Sequence, residues 1–244
     1  MNILLLMMGG SGTRFGADIP KQYIELENRP IFSYILEAHQ NCPLIDRIVV
    51  VSHESWIQYV ESWVRWLEAD KVSAVVAGGA NRSGSVRNGL CAMHDWASPE
   101  DVVLIHDATH PYCDVAGIGR IVEAVKTYGG ATLGQPQFDT VYRTNGDGFV
   151  DKVIPRQLVI SGASPEAFRY QEIYDIYDHT DEAEMERMTS AGAIALAHNI
   201  PMKAVDSEVL NLKITYPHDF ALLKVLLHNY FPNAKPCSEA EKPV

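Results

Sequence analysis

The chain has 244 residues, of which 47% are hydrophobic and 21% charged, and its formal net charge is −11 at pH 7. These values describe a soluble globular chain long enough for one sizeable core. They argue against nonspecific nucleic-acid binding, because no Lys/Arg run offsets the acidic balance, and no stretch is long enough to cross a bilayer.

Ile3 to Met8 is an apolar run that reads as a buried first strand; with no basic residue ahead of it, it does not read as a signal peptide. The segment Met8-Gly9-Gly10-Ser11-Gly12-Thr13-Arg14-Phe15-Gly16 follows, with Pro20-Lys21-Gln22-Tyr23 after it. Glycines directly after a strand let backbone N–H groups close around an anion, and Arg14 and Lys21 add two cations. A P-loop needs Gly-Lys before Ser or Thr, and Gly12 is followed by Thr13-Arg14. A dinucleotide fingerprint needs G-x-G-x-x-G, and Gly10, Gly12 and Gly16 miss that spacing by one residue. A nucleotidyltransferase loop around a nucleoside triphosphate remains, beside the plainer reading of an ordinary turn.

Further strands are expected at Arg47–Ser52, Val72–Val76 and Val102–His106, with helices at about Ile31–Gln40, Glu54–Ala69, Ser83–Trp96 and Val115–Tyr128. Strand and helix in alternation predict an α/β fold, a mostly parallel sheet with helices on both faces. After Gly129-Gly130 the alternation breaks. Asn145-Gly146-Asp147-Gly148 predicts a turn between the extended pieces Phe138–Arg143 and Phe149–Pro155, so a hairpin arm is expected at about 135–161. Helices are expected to resume at about Pro165–Tyr177 and Glu182–Ala197, followed by a strand near Lys203–Val205 and a helix over Pro217–Tyr230. The reading is one domain over 1–231 with a frayed tail over 232–244. Cys42, Cys91, Cys113 and Cys237 have neither CxxC nor zinc spacing, which suits a reducing cytoplasm.

Four more constellations carry chemistry. His106-Asp107-Ala108-Thr109-His110 ends the fourth strand, where open α/β sheets collect ligands; Asp107 there suits a Mg²⁺ ligand or a plain turn residue. Gly78-Gly79-Ala80-Asn81-Arg82-Ser83-Gly84-Ser85 offers small residues, hydroxyls and a planar cation, or simply a glycine loop with a helix cap. Lys213, in a short apolar strand Asn211–Thr215, points at an anion or reaches solvent. Arg156, near Ser161-Gly162-Ala163-Ser164-Pro165, binds a substrate phosphate or is a surface arginine.

Taken together, Gly-x-Gly-x-Arg with Pro-Lys-Gln, Gly-Gly-x-x-Arg-x-x-Ser-Val, His-Asp-Ala, Asp-Thr, Ser-Pro-x-x-Phe and Asn-x-Lys-x-Thr resemble, in their order, the cytidylyltransferases that activate sugar-alcohol phosphates. These act on 2-C-methyl-D-erythritol 4-phosphate or ribitol 5-phosphate. The resemblance runs from about Ile3 to Leu227 and implies a Rossmann-like domain with a protruding β-arm that interlocks two subunits of a cytoplasmic homodimer, using CTP and Mg²⁺. It implies that Gly9, Gly10, Gly12 and Arg14 cradle the triphosphate, and that Lys21 and Lys213 contact its phosphates. Gly79, Ala80, Arg82 and Ser85 would hold the nucleoside, and Asp107 the metal. Asp107, His110, Thr140, Arg156 and Ser164 fall on the acceptor side, Thr140 and Arg156 reaching the neighbouring subunit's site from the arm. Departures from the family pattern are His110 in place of Arg, Tyr142 in place of Lys, Ser164 in place of Thr and Glu166 in place of Gln. His110 would bind phosphate only when protonated. Competing readings are a CTP-binding module without turnover and, more distantly, a dinucleotide-dependent oxidoreductase.

Overall fold

In the computed structural model, residues 1–10 and 19–243 are described. The central sheet has seven strands in the order β11-β7-β10-β6-β1-β4-β5. Its parallel part is β1 (Asn2–Met8), β4 (Arg47–Ser52), β5 (Val72–Ala77) and β6 (Val102–Asp107), joined by α1 (Ile31–Gln40), α2 (Ile57–Trp66) and α3 (Arg82–Cys91). A small ladder, β2 (Glu25–Leu26) with β3 (Arg29–Pro30), precedes α1. After β6 come α4 (Val115–Tyr128) and β7 (Gly130–Pro136). The hairpin of β8 (Val141–Thr144) and β9 (Val150–Ile154) forms a separate two-stranded sheet. The chain returns through β10 (Ile160–Arg169), α5 (Tyr170–His179), α6 (Glu182–Arg187), α7 (Ala191–Ala197), β11 (Met202–Asp206) and α8 (Pro217–Tyr230).

β1 shows why the sheet is covered on both sides. Leu4, Leu6 and Met8 pack into a core with α1, α2, α4 and α8, while Ile3, Leu5 and Met7 pack into another with α3, α5 and α7. The side-chain period of two sends alternate residues to opposite faces, and a strand buried on both reads as a continuous apolar run.

Several expectations need correction. Pro165 does not open a helix; it lies inside β10, which pairs antiparallel with β6 and β7. The ladder to β7 shifts register between Ala163 and Glu166, so the missing proline N–H falls where the pairing is interrupted. The helices begin and end elsewhere too: α5 starts at Tyr170, Glu182–Ala197 is split into α6 and α7, and α3 stops at Cys91. Asn211–Thr215 is not a strand; it is an irregular segment tied down by the Ile214 amide donating to the Thr109 carbonyl at 2.8 Å. Residues 232–243 make contacts with the rest of the chain. Cys237 is buried, the Lys235 amide donates to Glu37, and the Lys235 carbonyl accepts from Arg29. The cysteines are free but not all isolated: the thiols of Cys42 and Cys113 are hydrogen-bonded to each other.

This topology makes the site. From β1 the chain winds outward through β4 and β5, then returns to the other side of β1 with β6. The crevice between the C-terminal ends of β1 and β6 is therefore the switch point at which doubly wound sheets bind ligands.

Candidate functional site

An open cleft of about 820 Å³ lies at that switch point. Gly9 and Gly10, at the end of β1, form one edge, and Gly79, Ala80, Arg82 and Ser85, around the start of α3, form the next. Asp107 and His110 follow from the end of β6, Ser164 and Glu166 from β10, and Lys21 and Lys213 complete the lining. Gly12 and Arg14 lie outside the described residues. Thr140 and Arg156 do not line the cleft; both are exposed beside the β8–β9 hairpin, and the Arg156 guanidinium donates to the Phe138 carbonyl.

The glycine loop before α3 is shaped by its own backbone. A Cβ on Gly79 would lie 2.6 Å from the Gly84 carbonyl carbon, so the loop folds on itself too tightly for any side chain there. Asn81 caps α3 by accepting from the Gly84 amide at 2.8 Å. Ser85 Oγ accepts from the Gly79 amide at 3.0 Å and donates to the Asn81 carbonyl. Ser85, expected to touch a nucleoside, thus also braces the loop.

Charge is concentrated around Asp107. Its carboxylate takes Arg82 Nη2 at 3.0 Å and Lys213 Nζ at 3.5 Å. Burial alone would raise its pKa, but Arg82 and Lys213 outweigh burial and hold the carboxyl below its usual range. Glu166, 3.8 Å from Arg82, is anchored by the amides of Ala191 and Gly192 at the start of α7. Lys21 Nζ donates to the Ile214 carbonyl at 2.6 Å, fastening the segment after β1 to the one that carries Lys213. Gln22 donates to the carbonyls of Met8 and Gly10, both at 2.7 Å, and so pins the end of β1.

Burial, reinforced by the charge of Lys213, pushes the pKa of His110 down to about 4. Its Nδ1 lies 3.0 Å from Asn211 Oδ1 and 3.3 Å from the Tyr112 hydroxyl. Tyr112 in turn accepts from the Ser164 amide at 3.2 Å. Ser164 Oγ lies 3.4 Å from the Asp107 amide, joining β10 to the end of β6.

Gln22, Tyr112, Asn211 and the Glu166–Arg82 contact were missed from sequence. Gln22 and Asn211 stood inside quoted motifs, but Tyr112 carried no signal beyond a buried aromatic. For a divalent ion, no cluster of three or more His, Cys, Asp or Glu side chains exists among the described residues. The ionised Asp107 does fit Mg²⁺, which commonly takes one carboxylate and completes its shell with substrate phosphates and water.

The family model for 2-C-methyl-D-erythritol 4-phosphate cytidylyltransferase (IspD) matches residues 2–229. The ribitol-5-phosphate cytidylyltransferase of Vibrio parahaemolyticus is 32% identical over 228 residues, covering 93% of this chain and 96% of that one. The 2-C-methyl-D-erythritol 4-phosphate cytidylyltransferase of Clostridium acetobutylicum is 31% identical, covering 93% and 97%. The crystal structure of 4-diphosphocytidyl-2C-methyl-D-erythritol synthase from Anaerococcus prevotii superposes with a TM-score of 0.75 at 21% identity, covering 93% of this chain and 96% of that one.

Proposed function

Because the chain belongs to the IspD family of cytidylyltransferases, we propose that its cleft joins CTP to ribitol 5-phosphate. The chain is an enzyme that transfers CMP from CTP to a sugar-alcohol phosphate. The observation that carries the site assignment is the convergence of Lys21, Arg82 and Lys213 on one cleft of a chain whose net charge is −11. A polyanion held against the overall field needs such a local concentration of positive charge.

The reaction is an in-line displacement. An oxygen of the acceptor phosphate attacks the α-phosphorus of CTP, a new P–O bond forms, and the bond to the β-phosphate bridging oxygen breaks to release pyrophosphate. A phosphate dianion is already a nucleophile, so no side chain need remove a proton. Both reactants are anionic, and the barrier lies in repulsion and alignment. Lys21 and Lys213 counter the charge that grows on the α-phosphate oxygens, with Arg14 of the glycine segment assigned to the same task. Gly9, Gly10, Gly12, Gly79, Ala80, Arg82 and Ser85 hold the nucleotide. Asp107 would hold Mg²⁺, which supplies charge neutralisation and orientation of the phosphates when bound. As substrate enters, its phosphates replace Asp107 as partners of Arg82 and Lys213.

Ribitol 5-phosphate is chosen over the methyl-branched acceptor because the cleft is rich in hydroxyl groups. Thr109, Thr132, Ser164, Thr189 and Ser190 all line it, and they suit a linear chain of hydroxyls better than a methyl branch. Thr140 and Arg156 reach the acceptor phosphate in a second copy of the chain. The exposed Phe138, Phe149 and Leu158 around the hairpin support such a homodimer. No helix among the described residues is long and apolar enough to cross a membrane, and a cytoplasmic location fits the water-soluble substrates.

Pyrophosphate release from CTP and Mg²⁺ with each acceptor tests the reading. Turnover should be at least about tenfold faster in kcat/KM with ribitol 5-phosphate, a difference of about 1.4 kcal/mol. Preference for 2-C-methyl-D-erythritol 4-phosphate would reverse the acceptor assignment, and CTP binding without turnover on either would reverse both.

A further inference from the structure

We infer that Glu166 is a positioning residue of the nucleotide side: its carboxylate, fixed between the sheet and α7, keeps the Arg82 guanidinium in the cleft when Asp107 changes partners. The inference rests on the assignment of Arg82 to the nucleotide made above and deepens it.

The argument begins with what converges on Glu166. The Ala191 amide donates to Oε2 at 3.1 Å, and the Gly192 amide donates to Oε1 at 3.0 Å. Arg82 Nη2 lies 3.8 Å from Oε2. All three partners are donors, and both oxygens are used, so the group between them must accept on either side. A carboxylate does so. A glutamine of the same shape would turn its own N–H groups towards one of the amides.

The backbone around α7 is shaped to admit that carboxylate. A Cβ on Gly192 would lie 2.6 Å from Oε1, so the bare glycine is what lets Glu166 reach the α7 amides. At its other end Glu166 belongs to the interior of the sheet, where β10 is paired at this residue with Ile105 of β6 and Thr132 of β7. A side chain anchored at both ends is a fixed reference for its neighbours.

Arg82 is held less firmly. It is the first residue of α3, and its side chain is 31% exposed. Its two carboxylate partners differ in what else engages them. Asp107, 3.0 Å from Nη2, also faces Lys213, and it is the carboxylate that would turn to Mg²⁺. Glu166 has no such alternative, because its oxygens already carry the α7 amides. When Asp107 lets go, the ion pair to Glu166 limits the swing of the guanidinium. The bond from Ser83 Oγ to the Met185 carbonyl, buried and 3.0 Å long, holds the start of α3 against α6 at the same time. At 3.8 Å the Glu166 contact orients Arg82 without occupying its N–H groups, which stay available to a phosphate.

Two substitutions that leave every charge in place test this by moving the carboxylate. Gly192→Ala displaces Oε1 from its seat, and Glu166→Asp shortens the reach by one methylene. Each should raise the dissociation constant for CTP, read by titration calorimetry with Mg²⁺, about tenfold, the size of one lost bond to a charged group. In an Arg82→Ala background the same substitutions should change CTP affinity by less than about twofold, because the residue they act through is gone. The shorter Asp leaves room for the new methyl group, so the Glu166→Asp/Gly192→Ala double variant should bind CTP no worse than Glu166→Asp alone. Melting temperatures accompany each variant; if Gly192→Ala fails to fold, the cycle of Glu166→Asp with Arg82→Ala decides alone. Wild-type CTP affinity in the single variants, or a tenfold loss that persists without Arg82, overturns the inference. Undiminished CTP affinity in Arg82→Ala itself overturns the nucleotide assignment of Arg82, a different result from either of these.

Discussion

Acidification should destabilise this fold well before its carboxylates are protonated. His39 and His106 are fully buried, their rings edge to face with centroids 4.8 Å apart. His39 Nδ1 faces the Ile35 carbonyl at 2.8 Å, while His39 Nε2 and His106 Nδ1 have no hydrogen-bond partner among the described residues. Burial lowers His39 to about 3, with the neighbouring His106 adding to it, and burial lowers His106 to about 4. Unfolded, both return to about 6.5. Because each folded value lies below the unfolded one, the stability is complete above pH 6.5 and is lost as pH falls from there towards 4, where the unfolded chain binds the extra protons. Each residue contributes about 1.4 kcal/mol per pH unit in that window. At pH 5 the pair costs about 4 kcal/mol, and His110, also lowered to about 4, brings the loss to about 6 kcal/mol. Asp107, whose carboxyl is held below its usual range, adds its own loss only at lower pH. For a chain of this size, about 6 kcal/mol lowers the melting temperature by at least about 12 °C. Calorimetry at pH 7 and pH 5 reads the shift directly. His39→Phe keeps the ring and removes one titration, so its loss between the two pH values should be smaller by about 2 kcal/mol. A melting temperature flat across the range, or a variant with the full wild-type slope, would refute the reasoning.

Three further substitutions probe the site. Lys21→Ala should lower the rate of pyrophosphate release by about 10²- to 10³-fold, as loss of one transition-state charge partner does elsewhere; stopped-flow detection with CTP and acceptor checks it, and a near-wild-type rate removes Lys21 from the mechanism. Gly79→Ala places a methyl group 2.6 Å from the Gly84 carbonyl carbon, where no rotation relieves it, so the loop must open and break the Gly79–Ser85 bond. CTP affinity by titration calorimetry should fall at least about tenfold, a loss of about 1.4 kcal/mol, while the melting temperature stays near wild type. Arg156→Ala should raise the KM for the acceptor and leave CTP binding intact, and a loss confined to CTP affinity would contradict its placement on the acceptor side.

The parallel half of the fold was legible because punctuation and periodicity coincided there. Pro30 before α1, Gly129 after α4 and Pro217 at the start of α8 mark ends that proline and glycine impose on any helix. The antiparallel half was not. β7 reads Gly-Ala-Thr-Leu-Gly-Gln-Pro, with neither alternation nor a run of β-branched residues, and it exists because β10 and β11 flank it. Pro165 was misread for a local reason: proline suits the first turn of a helix, and nothing nearby in sequence reveals the register shift that admits it to a strand.

At the site, the residue types were legible and their partnerships were not. Asp107 could be suspected from its position after an apolar strand, but its hold on Arg82 and Lys213 spans 25 and 106 residues of chain. That pairing changes how the site works. Without substrate, three cations crowding one cleft would repel one another; the carboxylates of Asp107 and Glu166 hold Arg82 and Lys213 apart and in place. His110 belongs to the same balance. Lys21 and Lys213 already supply positive charge to its side of the cleft, and both contribute to keeping the imidazole neutral. Its Nδ1 lies 3.0 Å from Asn211 Oδ1 across 101 residues of chain, a partnership that no local pattern announces.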